Sequence, residues 1–99
     1  MFVTISIYQA RVGEEDALIG LHEDWQRTLQ SKARGYLSGE LLRNTKNSVE
    51  FLSIMRFETQ QAAHVLANNA EHHMWLLRLA SLAENVPALT EYISEWLSS

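Results

Sequence analysis

The residues with the most adaptable chemistry are three histidines in the second half of the chain, His64, His72 and His73. Imidazole titrates near neutral pH and binds metals, but metal ligands on one helix face lie three or four residues apart. Neither His64 with His72 nor His72 with His73 has that spacing. The sequence therefore predicts no metal site, and His72 is either a residue on the helix surface near Asn69 or an acid or base at a pocket rim.

Other classes of chemistry are excluded by composition. The 99 residues contain no cysteine, which rules out disulfides, thiolate nucleophiles and cysteine-ligated zinc. There is no glycine-rich phosphate loop, and no Ser-His-Asp arrangement is evident from spacing. The formal net charge is −4 and the eight Lys and Arg residues are scattered, which argues against nucleic acid as a partner.

Two segments that are apolar on both faces predict strands that need cover on both sides. In residues 2–9, one face carries Val3, Ile5 and Ile7, while Phe2 and Tyr8 lie on the other. Residues 49–57 have the same character. Residues 36–43 predict a further strand, joined to 49–57 by a polar hairpin at 44–47. Residues 88–96 alternate as a last strand, with Tyr92 and Trp96 on one face and Leu89 and Ile93 on the other.

Helical segments separate these strands. The acidic residues 14–16 suit a helix N-terminus, and the helix is predicted to continue to about Lys32. Its inward stripe consists of Leu18, Leu21, Trp25 and Leu29, and His22 beside it is interpreted as a border-of-core or solvent residue. Thr59 is a predicted N-cap for the next helix, which breaks at 68–69, where Asn69 caps a second piece over 70–83.

The resulting order β-α-β-β-α-β is that of a single ferredoxin-like α+β domain over residues 1–99, with a four-stranded antiparallel sheet. Two helices cover one sheet face, so the second apolar face predicts a homodimer with its sheets face to face. No apolar run reaches the ~18 residues that span a bilayer, and the start lacks a signal-peptide pattern. We therefore expect a soluble cytoplasmic protein without a membrane partner.

Four segments together carry a family resemblance: VGEEDAL before the first helix, RGYLSGELLRN, IMRFET leading into QQAA, and AEHHMWLL. In order and spacing they resemble the antibiotic biosynthesis monooxygenase family, which has the dimeric α+β-barrel fold. The resemblance implies a pocket between the sheet and the helices of each subunit. Members include cofactor-independent monooxygenases of quinol-like or anthrone-like aromatics, haem-degrading enzymes, isomerases of small phosphorylated metabolites and proteins without known activity.

The resemblance also implies a set of site residues. His72 matches a histidine frequent in the family and is the candidate catalytic residue. The candidate substrate anchors are Ser6, Tyr8 and Ser53, and the candidate wall consists of Phe57, Leu66 and Leu76. Many relatives have tryptophan where this chain has Phe57, which keeps an aromatic wall but loses the indole donor. The choice of strand face comes from this comparison, because periodicity cannot tell which face meets the helices.

Haem is disfavoured by the same comparison. The Asn, Trp and proximal His of haem-degrading relatives align with Ser6, Leu66 and Leu76, and leucine cannot ligate iron. We therefore expect no resident cofactor and O2 as co-substrate. The leading hypothesis is a cofactor-independent monooxygenase acting on a small aromatic. The alternatives are a non-catalytic ligand-binding or structural dimer, and an isomerase of a phosphorylated metabolite, which would need converging basic groups such as Arg43 and His72.

Overall fold

Four antiparallel strands form one sheet in the order β2-β3-β1-β4. The computed structural model describes residues 1–98 of the chain. The strands are β1 Phe2–Gln9, β2 Tyr36–Asn44, β3 Asn47–Phe57 and β4 Ala88–Ile93, and the helices are α1 Glu15–Thr28, α2 Gln60–Ala67 and α3 Ala70–Ser81. This order confirms the predicted ferredoxin-like α+β fold, with its second helical segment in two pieces.

The helices cover one face of the sheet. On β1, the side chains of Phe2, Thr4, Ser6 and Tyr8 are buried beneath them. On β3, the buried side chains are those of Phe51, Ser53 and Phe57, which stand opposite Tyr8, Ser6 and Phe2 in the strand register. This is the strand face that the family resemblance assigned to the helices, and the structure confirms it.

The other sheet face has no cover within the chain. Ile7, Leu52 and Leu42 form one row across β1, β3 and β2, because Leu52 pairs with both of the others. Ile7 is 52% exposed and Leu42 43%. Tyr92 of β4, which pairs with Val3, is 49% exposed. An apolar surface that spans four strands is therefore open to solvent in a single chain.

The break between α2 and α3 arises from two side-chain caps. Thr59 Oγ1 accepts a hydrogen bond from the Ala62 amide at 3.1 Å and caps α2. Asn69 Oδ1 accepts from the His72 amide at 3.0 Å and caps α3. Both predicted caps and the predicted break are confirmed. Within the described residues, no helix has the length and apolar character to cross a membrane.

Two element ends differ from prediction. Helix α1 ends at Thr28, and a short 3-10 turn over Gln30–Lys32 continues the chain to the predicted position. Strand β4 ends at Ile93, whereas the sequence predicted it to Trp96. Ile93 stands opposite Phe2, the first residue of β1, and the Ser94 amide donates to the Met1 carbonyl at 3.0 Å just beyond this pair. Trp96 is 83% exposed beyond the strand. The predicted face shared by Tyr92 and Trp96 is therefore wrong.

Candidate active site

A cavity of about 630 Å³ lies between the sheet and helices α1 and α3. Its size is within the range of small-molecule sites. The strands contribute both hydroxyl-bearing and apolar residues, and the helices contribute imidazole and indole rings. The principal lining residues are Thr4, Ser6, Tyr8, Ser53, Tyr36, His22, Trp25, His72, Trp75 and Leu76.

Five of the seven predicted site residues line this cavity, namely Ser6, Tyr8, Ser53, His72 and Leu76. The predicted wall residues Phe57 and Leu66 are buried in the core and do not line it. The Phe57 ring contacts the ring of Tyr36 at 6.0 Å, edge to face, and Tyr36 itself lines the cavity. Tyr36 was not among the predicted wall residues. Its position there depends on its pairing with Phe57 in the sheet.

Three of the hydroxyl groups on the cavity floor lie beside one another, those of Ser6, Ser53 and Tyr8. Ser6 and Ser53 are direct partners in the β1–β3 register, and Tyr8 follows Ser6 on the same strand face. Burial raises the pKa of the Tyr8 hydroxyl, and hydrogen bonds with Ser53 and Ser6 oppose part of that rise. The Tyr8 hydroxyl therefore stays protonated at neutral pH and remains a hydrogen-bond donor.

His72 is a buried residue on the cavity wall, and its interpretation as a helix-surface residue is wrong. Its Nδ1 accepts a hydrogen bond from Trp25 Nε1 at 3.0 Å, across the α1–α3 interface. Its ring stacks on Trp75, with centroids 5.9 Å apart and an interplanar angle of 15°. Burial, assisted by the nearby charge of His73, lowers the pKa of His72 to about 4, so the imidazole is neutral at pH 7.

His22 is a second imidazole on the cavity wall. Its Nδ1 donates to the Leu18 carbonyl at 2.9 Å, and its ring lies 5.9 Å from that of Tyr8 and 5.0 Å from that of Trp75. Burial lowers the pKa of His22, opposed by the bond to Leu18, and the neutral ring then has its lone pair on Nε2. Among the described residues, His22 Nε2 is the one enclosed side-chain nitrogen or oxygen without a hydrogen-bond partner.

His22 is partly buried at the border of the core, as predicted, and this border is also the cavity wall. The sequence contains a signal for its place there. His22 and Trp25 are three residues apart on α1, as are His72 and Trp75 on α3. Residues three apart on a helix share a face, so each helix presents one His/Trp pair. The two pairs meet: Trp25 contacts His72, and Trp75 contacts His22.

Several solved structures with this arrangement of strands and helices are described as antibiotic biosynthesis monooxygenases. No protein-family model matches the chain, and no curated protein matches it. A variant of SnoaB, a cofactor-independent oxygenase from Streptomyces nogalater, superposes with a TM-score of 0.85 at 9% identity, over 97% of this chain and 94% of that one. A candidate antibiotic biosynthesis monooxygenase from Deinococcus radiodurans gives 0.83 at 17% identity, over 100% and 97%. A Bordetella bronchiseptica counterpart gives 0.83 at 17%, over 96% and 97%.

This chain has the antibiotic biosynthesis monooxygenase fold. The fold predicted from the four sequence segments is thereby confirmed over nearly the whole length of the chain. At identities of 9–17%, the likeness concerns the fold and leaves the chemistry to be argued from the side chains of the cavity.

In this example of the antibiotic biosynthesis monooxygenase fold, the charged residues on the cavity wall are acidic. Glu23 and Glu40 line it, and no Lys or Arg from the described chain does so. The Glu40 carboxylate pairs with Arg56 at 3.9 Å on the other sheet face, because Glu40 stands opposite Ile54. The Arg43 guanidinium lies 4.8 Å from the Phe51 ring centroid and does not line the cavity. The converging Arg43 and His72 that a phosphate-binding isomerase would need are therefore not brought together.

The cavity also fits haem poorly. Leu76, which aligns with the proximal histidine of haem-degrading relatives, lines the cavity without a ligating atom. The lone pair of His72 Nδ1 accepts from Trp25, and that of His22 Nε2 is enclosed. In residues 1–98, no three His, Asp or Glu side chains are grouped to hold a metal ion.

Proposed function

We propose that the protein is a cofactor-independent monooxygenase that oxidises a small planar aromatic, of the quinol or anthrone type, with O2. The observation that carries this proposal is the cavity, which combines a size of about 630 Å³ with aromatic walls and neutral hydrogen-bonding groups. The fold supports it, because SnoaB, which has the same fold, is a cofactor-independent oxygenase.

The shape of the site suits a flat ring system. Trp25, Tyr36 and Trp75 line the cavity with indole and phenol faces, and the centroids of Trp25 and Tyr36 are 5.0 Å apart. Aromatic rings bind one another in offset or edge-to-face contacts and exclude water at the same time. The polar groups beside them, on Ser6, Ser53 and Tyr8, would fix the orientation of a ligand oxygen.

The chemistry needs no resident redox group. An anthrone-type methylene loses a proton to give a carbanion stabilised by the rings, and this anion transfers electrons to O2. The balanced reaction converts one methylene and one O2 into one ketone and one water: two C–H bonds break, the carbon loses four electrons, and O2 gains four. One oxygen atom becomes the ketone, and the other leaves as water with both protons. The protein supplies donors, including the Tyr8 hydroxyl, for the oxygen on which the anion's charge accumulates.

Oxygen uptake tests the proposal directly. With anthrones and quinols in buffer containing a metal chelator, we expect uptake above the uncatalysed rate. For an anthrone, one O2 should be consumed per ketone formed. His72→Phe should lower kcat by roughly 100-fold, as expected for loss of one donor to a developing oxyanion. His73→Phe is the matched control, because His73 is exposed, does not line the cavity and should leave turnover unchanged.

Two outcomes would contradict the enzyme. If no aromatic raises oxygen uptake but aromatics raise the melting temperature, the protein is a non-catalytic binding module of the same fold. If aromatics change neither quantity, they are not its ligands. Equal turnover by wild type and His72→Phe would remove His72 from the reaction.

We also infer that two copies pair through the uncovered sheet face. The support is the apolar row Ile7, Leu52 and Leu42 together with Tyr92, all on the face opposite the helices. Val3, Ile5 and Ile54 lie on the same face. A homodimer would remove this surface from water without altering the cavity, which opens on the helix side of the sheet.

A further inference from the structure

The hydrogen bond between Trp25 and His72 determines which imidazole nitrogen carries the proton. An indole N–H can only donate, so the His72 Nδ1 that receives it at 3.0 Å must hold a lone pair. Both residues are buried, with 6% and 7% of their surfaces exposed. A neutral imidazole with its lone pair on Nδ1 carries its hydrogen on Nε2.

The ring orientation is fixed by the same contacts. Rotating the imidazole by half a turn would place a C–H group against the Trp25 N–H and leave a buried donor without an acceptor. The ring also stacks on Trp75, whose own Nε1 donates to the Leu21 carbonyl at 2.7 Å. The His72 backbone is held by the Asn69 cap. These contacts leave one orientation and one tautomer.

The Nε2–H is the remaining polar group of the His72 ring, because Nδ1 is bound to Trp25. His72 Nε2 has no hydrogen-bond partner in residues 1–98. It is nevertheless accessible, because the single enclosed side-chain atom without a partner in these residues is His22 Nε2. Since His72 lines the cavity, the accessible surface of Nε2 faces a ligand bound there. Protonation to imidazolium would place an N–H at Nδ1 against the Trp25 N–H. This unfavourable contact between two donors keeps the ring neutral.

We propose that His72 acts as a neutral hydrogen-bond donor, through Nε2–H, to a carbonyl oxygen of an aromatic ligand, and that Trp25 is the positioning residue that imposes this tautomer. The inference rests on the proposed function for the aromatic ligand and adds that the ligand bears a carbonyl. It also replaces the proton-acceptor role expected for His72, because the lone pair that would take the proton is bound by Trp25.

The charge of the cavity favours a neutral carbonyl over a carboxylate or phosphate. Its titratable lining groups are Tyr8 and Tyr36 from the sheet, Glu40 from β2, and His22, Glu23 and His72 from the helices. The Glu40 carboxylate lies 3.9 Å from the Arg56 guanidinium on the uncovered sheet face, so the carboxylate that an entering anion would meet is that of Glu23, with no described cation lining the cavity to offset it. A carbonyl accepts the His72 hydrogen bond without that penalty, and charge appears on its oxygen only during reaction.

The tautomer can be measured without a ligand. In ¹⁵N-edited NMR of the imidazole rings at pH 7, wild-type His72 should show a protonated Nε2 and an unprotonated Nδ1. Trp25→Phe, which keeps a buried ring but removes the donor, should shift His72 towards a mixture of tautomers. A protonated Nδ1, or an even mixture, in the wild type overturns the inference, and this measurement stands even if Trp25→Phe fails to fold.

A matched ligand pair tests the carbonyl. Anthrone and 9,10-dihydroanthracene differ in one position, where a carbonyl replaces a methylene. We expect wild type to bind anthrone roughly 3- to 10-fold more tightly, the value of one net hydrogen bond. The ratio should fall to about one in His72→Phe, decrease in Trp25→Phe and persist in His73→Phe.

The possible failures are distinguishable. If both ligands bind and the ratio is the same in wild type and His72→Phe, the carbonyl assignment is wrong while the proposed function stands. If neither ligand binds, the proposed function fails, and the ligand assignment fails with it. His72→Gln, whose amide can donate from a similar position, should restore part of the preference, and its failure to do so would count against a donor role.

Discussion

His22 and His72 are two neutral imidazoles with opposite hydrogen-bonding character. In His22 the Leu18 carbonyl holds the hydrogen on Nδ1 and leaves Nε2 as an acceptor. In His72 the Trp25 indole holds the lone pair on Nδ1 and leaves Nε2–H as a donor. Residue type alone would give both rings the same reactivity. The difference arises from partners on the backbone and across the helix interface. Because His22 Nε2 is enclosed, the Nε2–H of His72 is the imidazole group left for a ligand.

Both histidines should make the protein less stable in mild acid. Burial holds the pKa of His72 at about 4, below the 6.5 of an unfolded histidine, and lowers the pKa of His22 as well. Between these values the unfolded chain binds more protons, so stability is fully present above pH ~6.5 and falls as the pH decreases towards 4. His72 contributes at most about 3 kcal/mol to this loss.

Urea denaturation at a series of pH values from 7 to 4.5 would measure this dependence. In His72→Gln the slope of unfolding free energy against pH should become smaller, leaving the contribution of His22. The exposed His73→Gln serves as control and should keep most of the wild-type slope, because burial of His72 remains and only the smaller effect of the His73 charge is lost. A wild-type slope preserved in His72→Gln would show that His72 does not titrate abnormally.

The sequence could predict that His72 is a candidate site residue but not what it does. Its assignment rested on the family resemblance, and its tautomer depends on Trp25, which is 47 positions away along the chain. His22 was missed because a lone histidine beside an apolar stripe is most simply a border residue. The paired spacing of His22 with Trp25 and His72 with Trp75 was present in the sequence, but the topology was needed to bring the two pairs together.

Among the helices and strands, the helix caps could be predicted from the sequence, but the length over which two strands pair could not. Thr59 and Asn69 are caps because each side chain can reach an amide three residues on, which is a property of a few adjacent residues. The end of β4 depends instead on its pairing with β1, which ends at the Phe2–Ile93 pair. The residues around Ile93 contain no local signal for this pairing. Phe57 was expected on the cavity wall by analogy, but its pairing with Tyr36 places Tyr36 there.

The two caps make a matched pair for separating stability from function. Thr59→Ala and Asn69→Ala each remove one bond to a helix N-terminus and should each lower the unfolding free energy by about 1 kcal/mol. Only Asn69 holds the amide of His72, so only Asn69→Ala should also weaken anthrone binding. Urea titration with binding measured on both variants checks this, and equal loss of affinity in the two would refute a special role for the α3 cap.

At the scale of the whole molecule, the uncovered apolar sheet face is the feature that most disfavours an isolated chain in water. A domain of 99 residues has a small core. Leaving an apolar surface over four strands exposed to water would therefore forgo much of the stabilisation that apolar burial can provide. The alternation in β1 and β3 already predicted this second apolar face, since residues one apart point to opposite sides. Because no element of residues 1–98 covers this face, we infer a second copy of the chain as its cover.

Sedimentation at micromolar concentration should give a dimer for the wild type. Leu52→Asp, at the centre of the Ile7–Leu52–Leu42 row, should yield a monomer or an unfolded chain, because an unpaired charge buried in an interface costs several kcal/mol. Val65→Asp is the control, since Val65 lies exposed on α2, away from this face, and should remain dimeric.

Leu42→Asp, on the edge strand β2, provides a second test if Leu52→Asp does not fold. Leu42 is already 43% exposed in the single chain, so a charge there should destabilise the interface more than the fold. A folded dimer of either variant would mean that the two sheets do not meet through this row, and a wild-type monomer would mean that the face is covered by something other than a second copy.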